Sequence, residues 1–563
     1  MGSGHVLVYA FDVFMQLYVA EGFRERDAAE SILINNLFGL EIDKRSYQLA
    51  YFAIMMKGRE YSRRILTKNV KLHLHQFIDS DDIPNEYFER LEEISSLPSD
   101  EFIEKSNLLK LILDMFLHAT EIGSVLNIQN ISQSEINELR QLTCAFEDFS
   151  NMDILYQLPE AHEKVNHILN ILEVLSFRYT AVVTNPPYLN KMSAILSKYV
   201  KDNYPEVKTD LFSVFIKMNS QMLTDGGYAG FMTPFVWMFI KSYEELRNFL
   251  IANKNISSLV QMEYSAFEEA TVPVCCFTIK NAKSEPIGNY FKLSDFRGGM
   301  NVQKEKVLEG IRNPDVNYLF QTNQNNFTKI PGSPISFWVS ENILYSFKND
   351  KNIGDYGVSR NGLQPKQTDR FVRQWFEVEK NNINFGIINI EQTDTAEEKW
   401  FPYNKGGAKR KWYGNYDYVV NWYKNGHEIR NIKRNGKPYA VIPSQKYYFH
   451  ESLTWPKITS GDISLRYRIS GSIPADAGNS TFFKSTQNLF YILGLMNTKV
   501  GNYMLNLVNP TLNLQTSEFS SIPIKKIANK NEIISISKHS IDICKNDWDS
   551  FETSWDFDKH PLI

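Results

Sequence analysis

The residues Asn185-Pro186-Pro187-Tyr188 stand directly after the β-branched run Thr180-Ala181-Val182-Val183-Thr184. Asn185 and Pro186 offer two oxygen acceptors at the end of a strand, and the prolines fix the backbone that carries them. Such acceptors suit one chemical task. An exocyclic amino group on a nucleobase is a poor nucleophile because its lone pair is delocalised into the ring. Hydrogen bonds accepted from its two hydrogens favour a tetrahedral, electron-rich nitrogen and aim it at an electrophile. The Tyr188 ring can stack on the same base. A base inside a duplex must first be flipped out of the stack. The tetrapeptide at a strand end therefore points to amino-group methylation, with Asn185, Pro186, Pro187 and Tyr188 as the catalytic loop.

Two further elements bear on this chemistry. Gly2-Ser3-Gly4-His5 opens a helix, and a glycine loop at a helix N-terminus lets the backbone approach a ligand. Glu41 ends a short apolar strand, where an acid can accept both hydroxyls of an adenosine ribose; Asp43 is the neighbouring alternative. Phe267, just before the apolar strand 272–280, is either a second stacking wall for the base or a core residue. Phe215, on the helix after Asp210, is either a contact of the cofactor adenine or core.

The elements that would carry these residues alternate. Residues 6–21 read as a helix, 37–42 as a strand ending in an acid, and 44–57 as an amphipathic helix with Tyr47, Ala50, Tyr51 and Ile54 on one face. Residues from about 60 to 176 read as a helical insertion. Alternation resumes with a strand at 179–184, a helix at about 210–223, a stop at Gly226-Gly227, a strand at 228–233 and a helix at 241–253. Strands at about 256–262 and 272–280 follow. This is the pattern of an α/β fold, a Rossmann-like doubly wound sheet with a helical insertion. The expected organisation is 1–285 for that domain and 286–530 for a mixed α/β recognition domain, with 531–563 as the start of a helical extension.

The chain has 563 residues, 43% hydrophobic and 22% charged, with aromatics at 13% and a net charge of −4. That composition is ordinary for a globular protein, and charge must be read locally. Residues 400–460 hold 11 Lys/Arg against 3 Asp/Glu. Within them Lys405, Lys409, Arg410, Lys411 and Trp412 combine cations, flexible glycines and aromatics, which suits phosphate contact; a solvated loop is the plain alternative. Gln364, Lys366, Gln445 and Lys446 are candidate base readers. The four cysteines, Cys144, Cys275, Cys276 and Cys544, form no C-x-x-C pair. No zinc site is expected, and the usage fits a cytoplasmic protein. No apolar run reaches the roughly 18 residues of a membrane span, so no membrane partner is expected.

The chain resembles the PglX-type adenine-specific DNA methyltransferases of BREX phage-defence systems, within the TaqI-like amino-methyltransferases. The likeness is carried by Gly2-Ser3-Gly4-His5, Glu41-Ile42-Asp43, Asn185-Pro186-Pro187-Tyr188, Asp210-Leu211-Phe212 and Trp237-Met238-Phe239. It continues through Phe371-Val372-Arg373-Gln374-Trp375, Lys405 to Asn415, and Asn509-Pro510-Thr511-Leu512-Asn513. The resemblance implies S-adenosyl-L-methionine as cofactor, held by the Gly2–Gly4 loop and Glu41. It implies double-stranded DNA with a flipped adenine as substrate, with other BREX proteins as further partners. Asn185, Pro186 and Tyr188 would then hold the adenine, with Phe267 as second wall. Family members place the tail of a central strand directly before Gly-Ser-Gly-His, where this sequence has Met1, and Asp148 and Asp153 are weak matches to a third cofactor motif. A chain lacking that strand and its C-terminal extension is the corresponding expectation. The rival expectation is a catalytically silent DNA-binding fragment, or one half of a split methyltransferase.

Overall fold

The computed structural model describes residues 1–563 except 129–130, 145, 147–150, 265–271, 284–286, 459–462, 510–512, 561 and 563. The described residues fall into two compact units. The first comprises 1–237 and 245–324, the second 238–244 and 325–563.

The first unit begins with α1 (His5–Ala20), α2 (Glu25–Asn35), β1 (Phe38–Glu41) and α3 (Lys44–Tyr61). Asp43 caps α3 by accepting the Ser46 N–H at 2.7 Å. Ala50 and Ile54 are buried, as their helical spacing requires, and Tyr47 and Tyr51 pack beside them. Strand β2 (His73–Gln76) pairs in parallel with β1. It lies within the span read as a helical insertion, and its signal is the apolar–polar alternation from Val70 to Gln76. Helices α4 (Asn85–Ile94), α5 (Ser99–Met115), α6 (Ala119–Ile122), α7 (Gln133–Cys144), α8 (Asn151–Leu155) and α9 (Leu158–Ser176) follow. Asp153 is buried and forms an ion pair with Arg90 at 3.0 Å, a structural rather than a ligand-facing placement; Asp148 lies outside the described residues.

Strand β3 (Tyr179–Thr184) occupies the residues expected of it. After α10 (Ala194–Asn203) and α11 (Leu211–Gln221) come β4 (Leu223–Pro234), α12 (Glu244–Asn253), β5 (Asn255–Gln261), β6 (Val274–Lys280), β7 (Ile287–Lys292), α13 (Gly299–Arg312) and β8 (Leu319–Asn323). They form a six-stranded mixed sheet in the order β3-β4-β6-β5-β7-β8. Gly226-Gly227, expected to stop a helix, instead lies inside β4. The β3–β4 register shifts between Tyr179 and Ala181. Gly226 takes φ +75°, a left-handed conformation that glycine adopts without a Cβ clash, and so absorbs the bulge. Leu259, Ile279 and Tyr290 are fully buried in the sheet core.

In the second unit, one four-stranded sheet runs Val372–Gln374, Tyr418–Asn421, Trp400–Asn404, Ile473–Pro474. Another runs Arg466–Arg468, Ser452–Pro456, Gly478–Phe483, Gly357–Arg360. Trp455, fully buried, stacks on Phe519 with ring centroids 4.2 Å apart. The helix Lys530–Asp549 buries Ile534, Ile541 and Trp548 in the same core. All four cysteines are free thiols. Among the described residues no helix is long and apolar enough to cross a membrane.

One element of this fold titrates. His75 on β2 faces His167 of α9, their ring centroids 5.7 Å apart, with His73 and Arg140 also nearby. Burial, and then these neighbouring charges, push its pKa down to about 4. The folded form therefore holds His75 neutral while the unfolded chain protonates it near pH 6.5. Stability from this group is complete above pH 6.5 and is lost as pH falls toward 4. The melting temperature should drop over that window, and His75→Gln should flatten the slope; an unchanged slope would show that His75 does not set it.

Candidate functional site

Two clusters assemble in the first unit. In the first, Gly2 and Gly4 both take left-handed φ, +59° and +91°. A Cβ at Gly4 would stand 2.9 Å from the Ala50 Cα, so α1 and α3 approach each other only through a glycine here. The loop turns its backbone toward Glu41 at the end of β1. The Gly2 N–H donates to Glu41 Oε2 at 2.6 Å, and the Met1 amine lies 3.4 Å from the same oxygen. Oε1 accepts from the N–H groups of Ile42 at 3.0 Å and Asp43 at 3.2 Å. The glycine loop and the strand-end acid, far apart in sequence, are thus one cluster. A Cβ at Gly2 would meet nothing within 4 Å, so the backbone there is open to a ligand. Ser3 Oγ and His5 Nδ1 lie 3.0 Å apart on the exposed side. Asp43 is committed to its own helix as a cap, and the Ser46 backbone bond is the main cause of its lowered pKa.

In the second cluster, Asn185 is exposed immediately after β3 and Pro186 is buried. The Tyr188 hydroxyl is 3.3 Å from Asn185 Oδ1 and 3.3 Å from the Met232 carbonyl, donating toward both. Oδ1 has a second lone pair, which a ligand amino group can use beside this hydroxyl. Burial, followed by Cys275 and Cys276, pushes the Tyr188 pKa up to about 12, so the phenol stays protonated. Its ring meets Phe212 edge-on, with centroids 6.3 Å apart. Phe215 is half-buried on α11. Phe267 lies outside the described residues.

Helix α6 and the turn after it touch the chain beside each cluster. A Cβ at Gly123 would stand 2.7 Å from Ile42 Cγ2, beside the Glu41 end of β1. Ser193, which follows the Asn185–Tyr188 loop, donates to Glu121. The helical insertion thereby contacts the residue that follows β1 and the segment that follows the Asn185–Tyr188 loop.

The basic segment of the second unit is a braced loop. Arg466 is buried and donates from Nη2 to the Gly406 carbonyl at 2.8 Å; burial pushes its pKa down to about 10, which leaves it charged at neutral pH. Asn415 Nδ2 donates to the same carbonyl at 2.7 Å and to that of Ala408 at 2.9 Å. Trp412, at φ +73°, exchanges backbone bonds with Leu465 and Tyr467. Lys411 turns inward and donates to the Asn497 carbonyl at 2.8 Å. Lys405 sits over the Tyr418 ring and Arg410 over Trp548. The exposed tip is 407–410, so Lys409 and Arg410 face solvent while Lys411 and Trp412 hold the loop. Gln364 is tied by its backbone to Val441, and Lys366 follows at φ +68°. Gln445 accepts from Arg430 at 2.8 Å, and Lys446 lies over the Tyr447 ring. The sequence did not single out Arg466, and it named Asp210 only within a motif, because the bonds each makes are tertiary contacts that neither spacing nor composition reports.

Residues 35–267, which carry the strand-end Asn-Pro-Pro-Tyr, match the family model of the Eco57I restriction-modification methylases. Across its whole length the chain is a relative of the adenine-specific methyltransferases PglX and BrxX, as its motifs led one to expect. It is 34% identical to the adenine-specific methyltransferase PglX of Lacticaseibacillus casei (strain Zhang), covering 100% of this chain and 46% of that protein. It is 32% identical to the adenine-specific methyltransferase BrxX of Escherichia coli O9:H4 (strain HS), again over 100% of this chain and 46% of the relative. The chain thus spans about half the length of these relatives. The solved structure of a nuclease-deletion mutant of the Type ISP restriction-modification enzyme LlaGI, in complex with a DNA substrate mimic, aligns with a TM-score of 0.51 at 11% identity. That alignment covers 96% of this chain and 44% of the other, and it shows a shared fold.

Proposed function

We propose that this chain transfers a methyl group from S-adenosyl-L-methionine to adenine N6 at a specific DNA sequence, within a BREX-type phage-defence system. The observation that carries the reading is Asn185, exposed at the end of β3 on a loop fixed by two prolines. Asn185 Oδ1 and the Pro186 carbonyl accept the two amino hydrogens of a flipped adenine, and the Tyr188 ring covers its face. The Gly2–Gly4 backbone and the Glu41 carboxylate hold the cofactor, Glu41 through the ribose hydroxyls. When bound, S-adenosyl-L-methionine supplies the methyl group as an electrophile. The chain's own part is positioning and exclusion of water; the surplus amino proton leaves to solvent. Lys405, Lys409 and Arg410 contact phosphates, and the second unit reads the site. The family's other defence proteins are the expected partners, in the cytoplasm.

A specific observation favours a second reading, one half of a split methyltransferase. Among the described residues β3 pairs only with β4, and Val183 on it is 61% exposed, so β3 is an open sheet edge. Such an edge can accept a further strand from another polypeptide. One experiment separates the two. The purified chain is incubated with methyl-labelled S-adenosyl-L-methionine and DNA, and N6-methyladenine is measured by mass spectrometry. Label in adenine supports the autonomous enzyme. No label from a folded, DNA-binding chain would overturn it in favour of the split or silent form.

A further inference from the structure

The residue after the tetrapeptide is held by a side chain that neither cluster includes. The Leu189 N–H donates to Asp210 Oδ1 at 2.9 Å, and the Leu189 carbonyl accepts the Leu211 N–H at 3.2 Å. The same Asp210 oxygen accepts the Phe212 N–H at 3.3 Å. Asp210 is 8% exposed. It therefore does more than cap α11. Ser193 and Thr498 cap their helices by accepting an N–H from the first turn of the helix they open. Asp210 also reaches outside its helix, to the exit of the loop that carries Asn185. Phe212, whose N–H it holds, is the ring against Tyr188. One carboxylate oxygen thus ties together the end of the loop and the wall behind its aromatic residue.

We propose that Asp210 is a positioning residue, setting where Asn185 and Tyr188 stand through its bond to the Leu189 N–H. This rests on the reading of Asn185 as the acceptor for the adenine amino group. A shift of about 1 Å in such an acceptor is enough to cost two orders of magnitude in rate. Among the described residues no cation pairs with this carboxylate; its bonds are to backbone N–H groups, from which the oxygen of a neutral amide can also accept.

The test is a set of variants of the full chain, Asp210→Ala, Asp210→Asn and, as a control for loss of a cap, Thr498→Ala. Two readouts are taken: methyl-transfer kinetics, and hydrogen exchange of the peptide spanning residues 185–193. Asp210→Ala should lower kcat about 10- to 100-fold with KM for cofactor and DNA within about threefold, and should speed exchange at Leu189. Asp210→Asn should restore both. Thr498→Ala should lose comparable thermal stability with kcat unchanged. The proposal is overturned if Asp210→Ala costs no more kcat than Thr498→Ala, if Asp210→Asn fails to rescue, or if exchange at Leu189 does not change. Failure of the underlying reading looks different: Asn185→Ala would leave methyl transfer intact, while the exchange measurement would still report whether Asp210 holds the loop.

Discussion

Replacing Asn185 with alanine should lower methyl transfer on the order of 100- to 1,000-fold, with DNA and cofactor affinities within about threefold of the parent. The size follows from where the interaction acts. The amino nitrogen of adenine becomes a nucleophile only as its lone pair leaves the ring, and positive charge builds on the nitrogen and its hydrogens as its bond to the methyl carbon forms. An acceptor at Oδ1 gains strength along that path, so its loss falls on kcat rather than on binding. The structure adds a detail. The Tyr188 hydroxyl lies 3.3 Å from Oδ1, so it occupies one lone pair and the entering amino group takes the other. Asn185→Asp keeps an acceptor oxygen and should retain more activity than the alanine variant. Equal kcat for Asn185→Ala and the parent, measured as labelled N6-methyladenine, would remove Asn185 from the reaction.

The fold and the site were legible in different degrees, for physical reasons. β3 was readable to the residue because Thr180, Val182, Val183 and Thr184 are β-branched and prolines stop the strand. The long helix after the Gly2–Gly4 loop was readable from a mostly apolar stretch uninterrupted by Gly or Pro, and it starts at His5. β2 was not, since four residues with two histidines give a weak period beside long helices. Gly226-Gly227 misled because a glycine pair after a helix and a glycine pair in a bulge share one composition, and only the partner strand decides between them. Within the site, Glu41 was readable as a strand-end acid, but its closure onto the Gly2 N–H was not. Lys411 and Trp412 read as phosphate contacts by type, yet one spends its ammonium on the Asn497 carbonyl and the other its backbone on a neighbouring strand. Residue type tells what a group can do; long-range pairing tells what it has already been used for.

Glu41 carries the second large effect, and it separates two carboxylates that sequence alone leaves as alternatives. A hydrogen bond to a charged acceptor is worth roughly 1.5–3 kcal/mol, and a ribose offers two hydroxyls. The gain is net of the bonds that Glu41 already makes, because Gly2, Ile42 and Asp43 donate to it in the structure. A carboxylate has about four lone-pair sites, so both hydroxyls enter only as some of these donors swing away. The net loss for Glu41→Ala should then be near 3 kcal/mol, about 100-fold in S-adenosyl-L-methionine affinity by calorimetry. Glu41→Gln, which keeps one acceptor oxygen without the charge, should lose about 10-fold. Asp43→Ala should change affinity by less than about threefold, since its carboxylate is tied to the Ser46 N–H, and should instead lower thermal stability by the roughly 1 kcal/mol of a lost cap. If Asp43→Ala abolished cofactor binding while Glu41→Ala spared it, the acid that holds the ribose would be Asp43, and the closure of the glycine loop onto Glu41 would be structural alone.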